Sequence, residues 1–519
     1  MDGPQHPLQH APRGTASPAV DTAGLRPAAG QAGAVRGRRG TVAVQSLGCK
    51  ANQEEMECLL SRLGEAGFEV VPFGVAADWT IVNTCTVTRE GDADSRQMIR
   101  RALRGRENGR VVVTGCLAQR DARGVGAIEG VDWVIGNAEK HLLPDWIVEA
   151  SPDAGPGAST CAAFEPASPV AGSGSGIRGP WVRVSADPGA GGFAAYGSGR
   201  AGRRTRATLK IQDGCDEHCT FCVIPQVRGP HRSRSLESVV TEAARLVAAG
   251  YREISLTGIN TALWGGEAGR DLPDLCREMA RVAGLDRLRL NSLEPQYVSE
   301  DWISRFAEIP ALCPHYHLPL QSGDPEILRR MNRRYTPAQY ARVVDRLRRL
   351  IPSAAIGADV LVGFCGETEG QFRNTLRLLE SLPLAYLHVF SYSPRPETAS
   401  LRLGEPVAAE VRRERSRRLR DLDRRLRARF AAELLDTIQQ VVPERPARRG
   451  APDDLVWEGV TGNYRRVRFA WPAAVRARRE LPLVLLESAG ADGVLHGRIL
   501  GAPGGAAAPD RRERVKGMV

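Results

Sequence analysis

The chain of 519 residues lacks the features of a membrane or secreted protein. It contains no apolar run long enough to span a bilayer. Residues 1–40 are rich in Pro, Ala, Gly and Arg and have no apolar segment of signal-peptide length. The 11 cysteines are an odd number, and clustered cysteines in a reducing compartment usually indicate metal binding or catalysis. We therefore expect a cytoplasmic protein, not bound to membranes, that uses cysteines chemically.

One cysteine cluster lacks a fourth member. Cys215, Cys219 and Cys222 have C-x3-C-x2-C spacing. Closed zinc and iron–sulfur sites usually have four protein ligands, whereas three thiolates on a four-iron cube leave one iron able to bind a substrate. Zinc, with His218 or a distant residue as fourth ligand, remains an alternative. The spacing favours an iron–sulfur cluster that takes part in chemistry.

The chain has fewer acidic than basic residues, 60 Asp and Glu against 71 Lys and Arg. The net charge is +11 and the isoelectric point is near 9.3, and many of the arginines lie in 412–429 and 445–479. A basic balance favours an anionic partner, nucleic acid before acidic membrane. A solvated helix rich in Arg and Glu would explain the charge equally well.

Composition divides the chain into several segments. Residues 1–39 and 503–519 read as disordered tails, and 151–203, rich in Gly, Ala and Ser, reads as a flexible linker. The linker separates an N-terminal domain, 40–150, from a central domain, 204–435. A small domain of short Val-rich strands, 436–502, follows.

The N-terminal domain shows three short apolar runs that each end at a cysteine: Cys49, Cys85 and Cys116. Helical stretches follow each run, which predicts a parallel α/β sheet. Because the carboxyl ends of parallel strands share one edge, we expect these cysteines to converge in a second three-thiolate site. Small buried cysteines that simply end strands are the alternative.

The central domain contains six strand–helix units, too few for a complete eight-stranded barrel, so we predict a partial (βα)6 barrel with chemistry at the carboxyl ends of its strands. His315 and His317 face the same way along one strand. They either line the cavity or are satisfied by hydrogen bonds inside the packed barrel. Gly363, Gly366 and Glu367 form a tight loop after another strand, a weak indication of a nucleotide-like ligand.

A family resemblance follows from these residues. The Cys215–Cys222 spacing resembles the signature of radical S-adenosylmethionine (SAM) enzymes, and the chain from about 40 to 500 resembles the methylthiotransferases. The matching motifs occur in order: Leu47-Gly-Cys-Lys-Ala-Asn, Asn83-Thr-Cys-Thr-Val-Thr, Gly115-Cys-Leu-Ala-Gln, Lys210-Ile-Gln-Asp-Gly-Cys, Ile224-Pro-x-x-Arg-Gly229, Pro319-Leu-Gln-Ser-Gly323 and Met331-Asn-Arg-Arg-Tyr-Thr336.

The contexts of the cysteines are most similar to those of the threonylcarbamoyladenosine tRNA enzymes. The isopentenyladenosine enzymes usually have Gly-Cys-Gln-Met-Asn at the first motif, and those acting on ribosomal protein S12 usually have Gly-Cys-Pro-Lys-Asn. Two departures affect the expected SAM and RNA contacts: Gln226 stands where Tyr is frequent, and Cys365 stands where Pro is usual.

The resemblance implies an α/β fold with an N-terminal methylthiotransferase domain, a radical SAM core and a TRAM-like RNA-binding β-barrel. It implies two 4Fe–4S clusters, one on Cys49, Cys85 and Cys116 and one on Cys215, Cys219 and Cys222. The second cluster would bind SAM, with Gly363, Gly366 and Glu367 as further contacts. Cleavage of SAM would yield a radical that takes hydrogen from adenine C2, and the first cluster would deliver the methylthio group.

The implied substrate is N6-threonylcarbamoyladenosine at position 37, in the anticodon loop of a tRNA. A one-electron reductant such as flavodoxin or ferredoxin would be a partner, and the protein would be a monomer. Methylthiolation of isopentenyladenosine or of ribosomal protein S12 is the alternative within the family. A non-catalytic iron–sulfur protein that binds RNA is the alternative of another class.

Overall fold

The structure, a computed structural model, describes residues 39–151, 180–193, 205–265, 269–449, 454–472, 481–490 and 492–500. The predicted tails and most of the predicted linker lie outside these residues. The chain forms two compact units. The first comprises Met1–Arg203, Gln212–Arg234 and Ser393–Leu401, and the second comprises Arg204–Ile211, Ser235–Tyr392 and Arg402–Val519.

The first unit is built on a six-stranded sheet in which every pair of neighbours is parallel. Its strands are β1 (Gly40–Ser46), β2 (Phe68–Val71), β3 (Trp79–Thr84), β4 (Arg110–Gly115), β5 (Trp133–Ile135) and β6 (Trp181–Arg183), in the order β2-β1-β3-β4-β5-β6. The helices are α1 (Lys50–Glu65), α2 (Arg89–Arg104), α3 (Cys116–Arg120), α4 (Ala122–Gly126) and α5 (Leu143–Glu149).

The parallel sheet predicted from the three apolar runs is confirmed, since β1, β3 and β4 are adjacent in it. The central strands β3 and β4 contain buried apolar runs because both of their faces are covered, as in other parallel sheets. β6 falls within residues 151–203, which composition assigned to the linker. Its pairing with β5 depends on Trp181, which packs edge-on against Trp133.

The second unit contains the predicted partial barrel. Its parallel strands are β7 (Arg206–Lys210), β10 (Glu253–Thr257), β11 (Arg287–Leu290), β12 (His315–His317), β13 (Ala355–Val362) and β14 (Tyr386–Ser391). They form two three-stranded sheets, β7-β10-β11 and β12-β13-β14. Isolated β-bridges connect the two sheets, one between Leu288 and Leu312 and one between Ser292 and His317. The helices are α7 (Leu236–Ala248), α8 (Leu272–Ala280), α9 (Glu300–Ala307), α10 (Pro325–Arg330), α11 (Pro337–Leu350), α12 (Glu369–Ser381) and α13 (Ala409–Glu433).

The second unit also contains a closed five-stranded barrel at the C-terminal end, as predicted. Its strands are β15 (Ile438–Arg449), β16 (Asp454–Thr461), β17 (Arg466–Pro472), β18 (Leu483–Ala489) and β19 (Leu495–Ile499), in the order β15-β16-β17-β19-β18. Phe469, Trp471 and Val484 are among the buried side chains of its core. No helix within the described ranges is both long and apolar enough to cross a membrane.

A buried ionic cluster joins the C-terminal barrel to the partial barrel. Glu253 of β10 is fully buried and pairs with Arg287 at 2.8 Å and Arg289 at 2.7 Å. Arg289 also donates to the carbonyl of Gly462, in the turn between β16 and β17, at 2.8 Å. Burial raises the pKa of Glu253, but Arg287, Arg289 and Arg206 outweigh burial and hold this pKa at about 2.

Replacing Glu253 with Gln is expected to destabilise the second unit by about 3–5 kcal/mol, because the buried arginines then lack their carboxylate. Urea unfolding at pH 7 measures this loss. Glu410→Gln is the matched control: Glu410 pairs with Arg413 on the solvent-exposed surface of α13, so a change of less than about 1 kcal/mol is expected. Equal stability of the two variants would contradict the prediction.

The pH dependence has a defined sign. Because the pKa of Glu253 is lowered in the folded state, its contribution is complete above the carboxyl pKa of an unfolded chain, about 4.3. It is lost as the pH falls from there toward 2. We therefore expect the free energy of unfolding to fall less between about pH 4.3 and pH 2 in Glu253→Gln than in the wild type. Urea unfolding of the protein without its clusters, repeated across this pH range, measures the difference.

Candidate functional site

The three cysteines of the N-terminal sheet lie at one edge of it. Cys49 immediately precedes α1 and follows β1, Cys85 follows β3, and Cys116 is the first residue of α3 after β4. β1, β3 and β4 are adjacent and parallel, so their carboxyl ends bring the three side chains to the same place. The structure thus groups residues separated by more than thirty positions of sequence.

The three thiols are close enough to act on one another electrostatically. Loss of solvation raises the pKa of the Cys85 thiol to about 12, and the nearby Cys116 and Cys49 act in the same direction. Three thiolates in this place therefore need a positive partner. A coordinated metal supplies one and deprotonates its thiols.

Glycine makes room beside these sulfurs. Gly48 has φ +90°, and a Cβ added there would lie 2.9 Å from the Sγ of Cys85. The strand-end loops are held by amides: Asn52 donates to the carbonyls of Leu47 at 2.8 Å and Thr84 at 3.1 Å, and Asn83 donates to that of Asn52 at 3.0 Å. A set of three soft sulfur donors at one edge of the sheet fits an iron–sulfur cluster.

A buried ionic network lies beside this triad. Glu55 of α1 pairs with Lys140 at 2.8 Å and with Arg228, all three side chains being at most 1% exposed. Arg228 also bonds to Asp213 at 3.2 Å. Arg228 is near enough to Cys49, and Lys140 to Cys116, to interact with them electrostatically.

Sequence reasoning did not identify this network. Arg228 belongs to the Ile224–Gly229 motif, but no motif of the sequence includes Glu55 or Lys140. One available signal was the pattern of α1, where Asn52 and Glu55 share a buried face with Leu59. Polar residues at positions of an apolar stripe indicate a buried polar cluster.

The second cysteine set occupies a loop of the first unit between β8 (Gln212–Asp213) and α6 (Ile224–Arg228). Cys215, Cys219 and Cys222 are all half-buried. The Cys215 amide donates to the Gly229 carbonyl at 3.1 Å, and the Cys222 sulfur accepts from the Ile224 amide at 3.5 Å. Three thiols in one compact loop are again a donor set that suits an iron–sulfur cluster.

The backbone of this loop requires glycine before its first cysteine. Gly214 has φ +71°, and an added Cβ would lie 1.9 Å from the Pro230 carbonyl oxygen. The strand β9 (Arg232–Ser233) pairs antiparallel with β8 and closes the loop. The position of Cys215 therefore depends on the Gly-Cys pair and on the segment that follows α6.

The residues predicted to contact SAM, which lie in the second unit, form hydrogen bonds with other residues of the protein. The Glu367 carboxylate accepts from the Gly363 amide at 2.8 Å and from Arg415 at 2.6 Å, and the Gly366 amide donates to Glu405 at 2.8 Å. Glu367 is thus used to shape its own loop. Its role as a ligand contact, like that of the two glycines, stays a prediction.

The remaining cysteines have no such grouping. Among the described residues, none is in a disulfide, and four are buried separately from the triads: Cys58, Cys276, Cys313 and Cys365. Cys161 lies outside the described residues. His315 and His317 both have hydrogen-bond partners, Tyr386 at 2.9 Å and Asp359 at 2.9 Å respectively.

Comparison with known families locates two matches. Residues 209–379 match the Radical SAM superfamily. Residues 41–136 match Uncharacterized protein family UPF0004. The first match includes Cys215, Cys219 and Cys222, and the second includes Cys49, Cys85 and Cys116.

Curated relatives match most of the chain, and two of them illustrate the similarity. The threonylcarbamoyladenosine tRNA methylthiotransferase MtaB of Bacillus subtilis is 36% identical over 435 residues, covering 83% of this chain and 90% of that protein. The tRNA-2-methylthio-N(6)-dimethylallyladenosine synthase of Erythrobacter litoralis is 34% identical over 416 residues, covering 79% and 87%.

The fold is similar to that of a solved structure. That structure is the radical S-adenosylmethionine methyltransferase TsrM from Kitasatospora setae, with cobalamin and a 4Fe–4S cluster bound. The TM-score is 0.51 at 20% identity, and the match covers 70% of this chain and 77% of that one. At this identity the likeness concerns the fold alone.

Proposed function

Because the chain belongs to the radical SAM methylthiotransferase family of tRNA-modifying enzymes, we propose that it adds a methylthio group to C2 of N6-threonylcarbamoyladenosine at position 37 of tRNA. The product is 2-methylthio-N6-threonylcarbamoyladenosine. The similarity to the Bacillus subtilis enzyme and the contexts of Cys49, Cys85 and Cys116 support this substrate over isopentenyladenosine.

The observation that carries the proposal is the pairing of two three-thiol sets in one compact unit. One set would hold a 4Fe–4S cluster at the edge of the sheet, through Cys49, Cys85 and Cys116. The other would hold a second cluster in the loop, through Cys215, Cys219 and Cys222. When bound, these clusters and SAM supply the radical cleavage and sulfur transfer typical of the family.

The protein's own residues would position and shield these groups. Gly48 permits close approach of the backbone to the Cys85 sulfur, and Gly214 permits the loop of the second thiol set to pack against the Gly229–Pro230 backbone. Arg228 and Lys140 place positive charge beside the first set, and Glu55 fixes both side chains by ion pairs. A buried network of this kind keeps water away from reactive intermediates.

The C-terminal barrel would bind RNA phosphates. Arg445, Arg466 and Arg468 all pair with the one carboxylate of Glu458, and Asp492 pairs with Arg468. Positive charge therefore remains in excess on this surface, which suits a polyanion.

The Arg-rich helix α13 supports this role less. Several exposed arginines there pair with acidic neighbours on the same helix: Arg413 pairs with Glu410, and Arg417 and Arg424 share Asp421. These pairs neutralise part of the charge that the sequence suggested for phosphate binding. The solvated-helix alternative fits this element.

The proposal includes partners. A one-electron donor such as flavodoxin or ferredoxin would reduce the enzyme, which would act as a cytoplasmic monomer on the anticodon loop. Single-stranded loops expose bases that a protein can bind outside the helix stack.

Mass spectrometry of tRNA nucleosides with and without the gene tests the proposal. We expect the 2-methylthio derivative of N6-threonylcarbamoyladenosine to disappear in its absence and to return with a plasmid copy. Loss of the methylthio derivative of isopentenyladenosine, or of the modification on ribosomal protein S12, would assign the other substrate. Unchanged nucleosides and unchanged S12 would favour a non-catalytic RNA-binding protein.

A further inference from the structure

We propose that the concave face of β14, through Phe390 and His388, is the platform on which the target base stacks, with Asp359 as the residue that positions His388. This inference rests on the proposed function, because it assigns the purine ring of the tRNA nucleoside to a place in the partial barrel. Neither the family motifs used above nor the predicted SAM contacts include these three residues.

Strand alternation places the two rings on the concave face. Leu387 and Val389 pack in the apolar core that also contains Leu419 and Leu422 of α13. Successive residues of a strand point to opposite faces. Phe390 and His388 therefore lie on the opposite face of the strand from Leu387 and Val389, on the side that carries His317 and Asp359.

Both rings are accessible there. Phe390 is 46% exposed, and the His388 side chain is 49% exposed. Their ring centres are 6.5 Å apart, with the planes at 76°. A half-exposed Phe in a partial barrel, beside a ring that carries nitrogen atoms, offers both a stacking surface and a hydrogen-bonding edge for a flat heterocycle.

A chain of hydrogen bonds holds His388 in place. Its Nδ1 lies 3.1 Å from Asp359 Oδ1, and the same oxygen lies 2.9 Å from His317 Nε2. The other nitrogen of His317 lies 2.7 Å from the Ser292 hydroxyl. With Nδ1 engaged, His388 can present Nε2 to the donors and acceptors at the edge of a purine.

Tyr386 closes the platform on one side. Its ring lies over Gly357, where an added Cβ would be 2.0 Å from the Tyr386 Cζ, and its hydroxyl bonds to His315. Tyr386 and His315 are buried. Because Tyr386 and His315 are buried, a purine ring that enters the barrel can contact His388 and Phe390 but not these two rings.

The same cluster has the composition of a metal site. Ligand atoms of His317, Asp359 and His388 lie within 4.8 Å of one another, and two histidines with one carboxylate can bind a divalent metal. Here one nitrogen of each histidine, Nε2 of His317 and Nδ1 of His388, already lies at hydrogen-bond distance from the Asp359 oxygen, so the carboxylate has partners without an ion. Metal binding is kept as an outcome of the test.

Fluorescence of 2-aminopurine tests the stacking. The full-length, cluster-loaded enzyme is titrated with an anticodon stem-loop RNA that carries 2-aminopurine at the target position, since stacking on a ring quenches its emission. We expect quenching with the wild type. Phe390→Ala and Phe390→Leu should remove most of the quenching and weaken binding about tenfold, because one base–aromatic stack contributes that order of affinity. Phe390→Trp should restore both.

Val75→Ala is the matched control, because Val75 is an apolar residue of similar exposure, 51%, in the other compact unit. It should bind and quench like the wild type. For the positioning role, Asp359→Asn should reduce quenching less than Phe390→Ala and weaken affinity without changing the fluorescence of the free RNA.

Three results would overturn the inference. The first is equal affinity and quenching for Phe390→Ala, Phe390→Leu and Val75→Ala. The second is unchanged binding in Asp359→Asn, which would remove its positioning role. The third is that the wild-type protein contains about one equivalent of zinc or another divalent metal in addition to the cluster iron, and that Asp359→Asn lacks this metal. If wild-type enzyme forms product on native tRNA, these results leave the proposed function standing. If the wild-type enzyme forms no product and shows no quenching, both the proposed function and the stacking inference are overturned.

Discussion

Replacing Cys85 with Ala is expected to abolish the methylthio product while 5′-deoxyadenosine, the product of SAM cleavage, continues to form. The reason is the separation of the two thiol sets: Cys85 belongs with Cys49 and Cys116 at the edge of the sheet, whereas the loop triad lies elsewhere in the sequence. Cluster iron should fall by about half, because a 4Fe–4S cluster needs its thiolates. Chromatography with mass spectrometry measures both products in one reaction.

Cys58→Ala is the matched control for this change. Cys58 is another cysteine of the first unit, but it is buried within α1 and bonds to Glu54. Both products and the full iron content should remain. Methylthio product from Cys85→Ala would show that the sheet-edge triad is wrongly assigned, and loss of both products would show that the two sets do not act separately.

Replacing Cys219 with Ala is expected to remove SAM cleavage and methylthio product together. Cys219 is the middle member of the loop triad, and the loop holds it by a hydrogen bond from the Cys222 amide to its carbonyl at 3.0 Å. A cluster that has lost one of three thiolates cannot keep its geometry, so SAM would not be cleaved. The measurement is 5′-deoxyadenosine after addition of a chemical reductant.

Cys276→Ala serves as the control, because Cys276 is fully buried in the core of the second unit and belongs to neither triad. It should keep both activities, with a modest loss of stability at most. Continued formation of 5′-deoxyadenosine by Cys219→Ala would remove the loop triad from the proposed chemistry. Loss in both variants would point to misfolding, which circular dichroism separates from loss of the cluster.

Much of the site could be predicted because its signals are local. The C-x3-C-x2-C spacing lies within eight residues, and each cysteine of the other triad directly follows an apolar run that reads as a buried strand. Parallel connectivity then implies that the ends of β1, β3 and β4 meet. The β-barrel at the C-terminal end was also predicted, from its short Val-rich stretches and the family resemblance.

Other features could not be predicted because their partners are far apart in sequence. Glu55 lies 85 positions from Lys140 and 173 from Arg228. A local sequence pattern therefore cannot predict which basic side chains will pair with this buried carboxylate. β6 was missed for a similar reason. Its three residues follow a long Gly-rich stretch, and only the neighbouring β5 and the packing of Trp181 make them a strand.

His315 and His317 illustrate the division between sequence and tertiary structure. Their alternation placed both on one face of a strand, and this holds because side-chain direction follows from backbone geometry. Their partners Tyr386 and Asp359 come from other strands, so only the tertiary structure decided which hydrogen bonds the two histidines make. By itself the sequence determined the chemistry, since thiol spacing and strand ends are local. The ionic networks and the exposed Phe390 were decided by long-range packing, which no window of sequence contains.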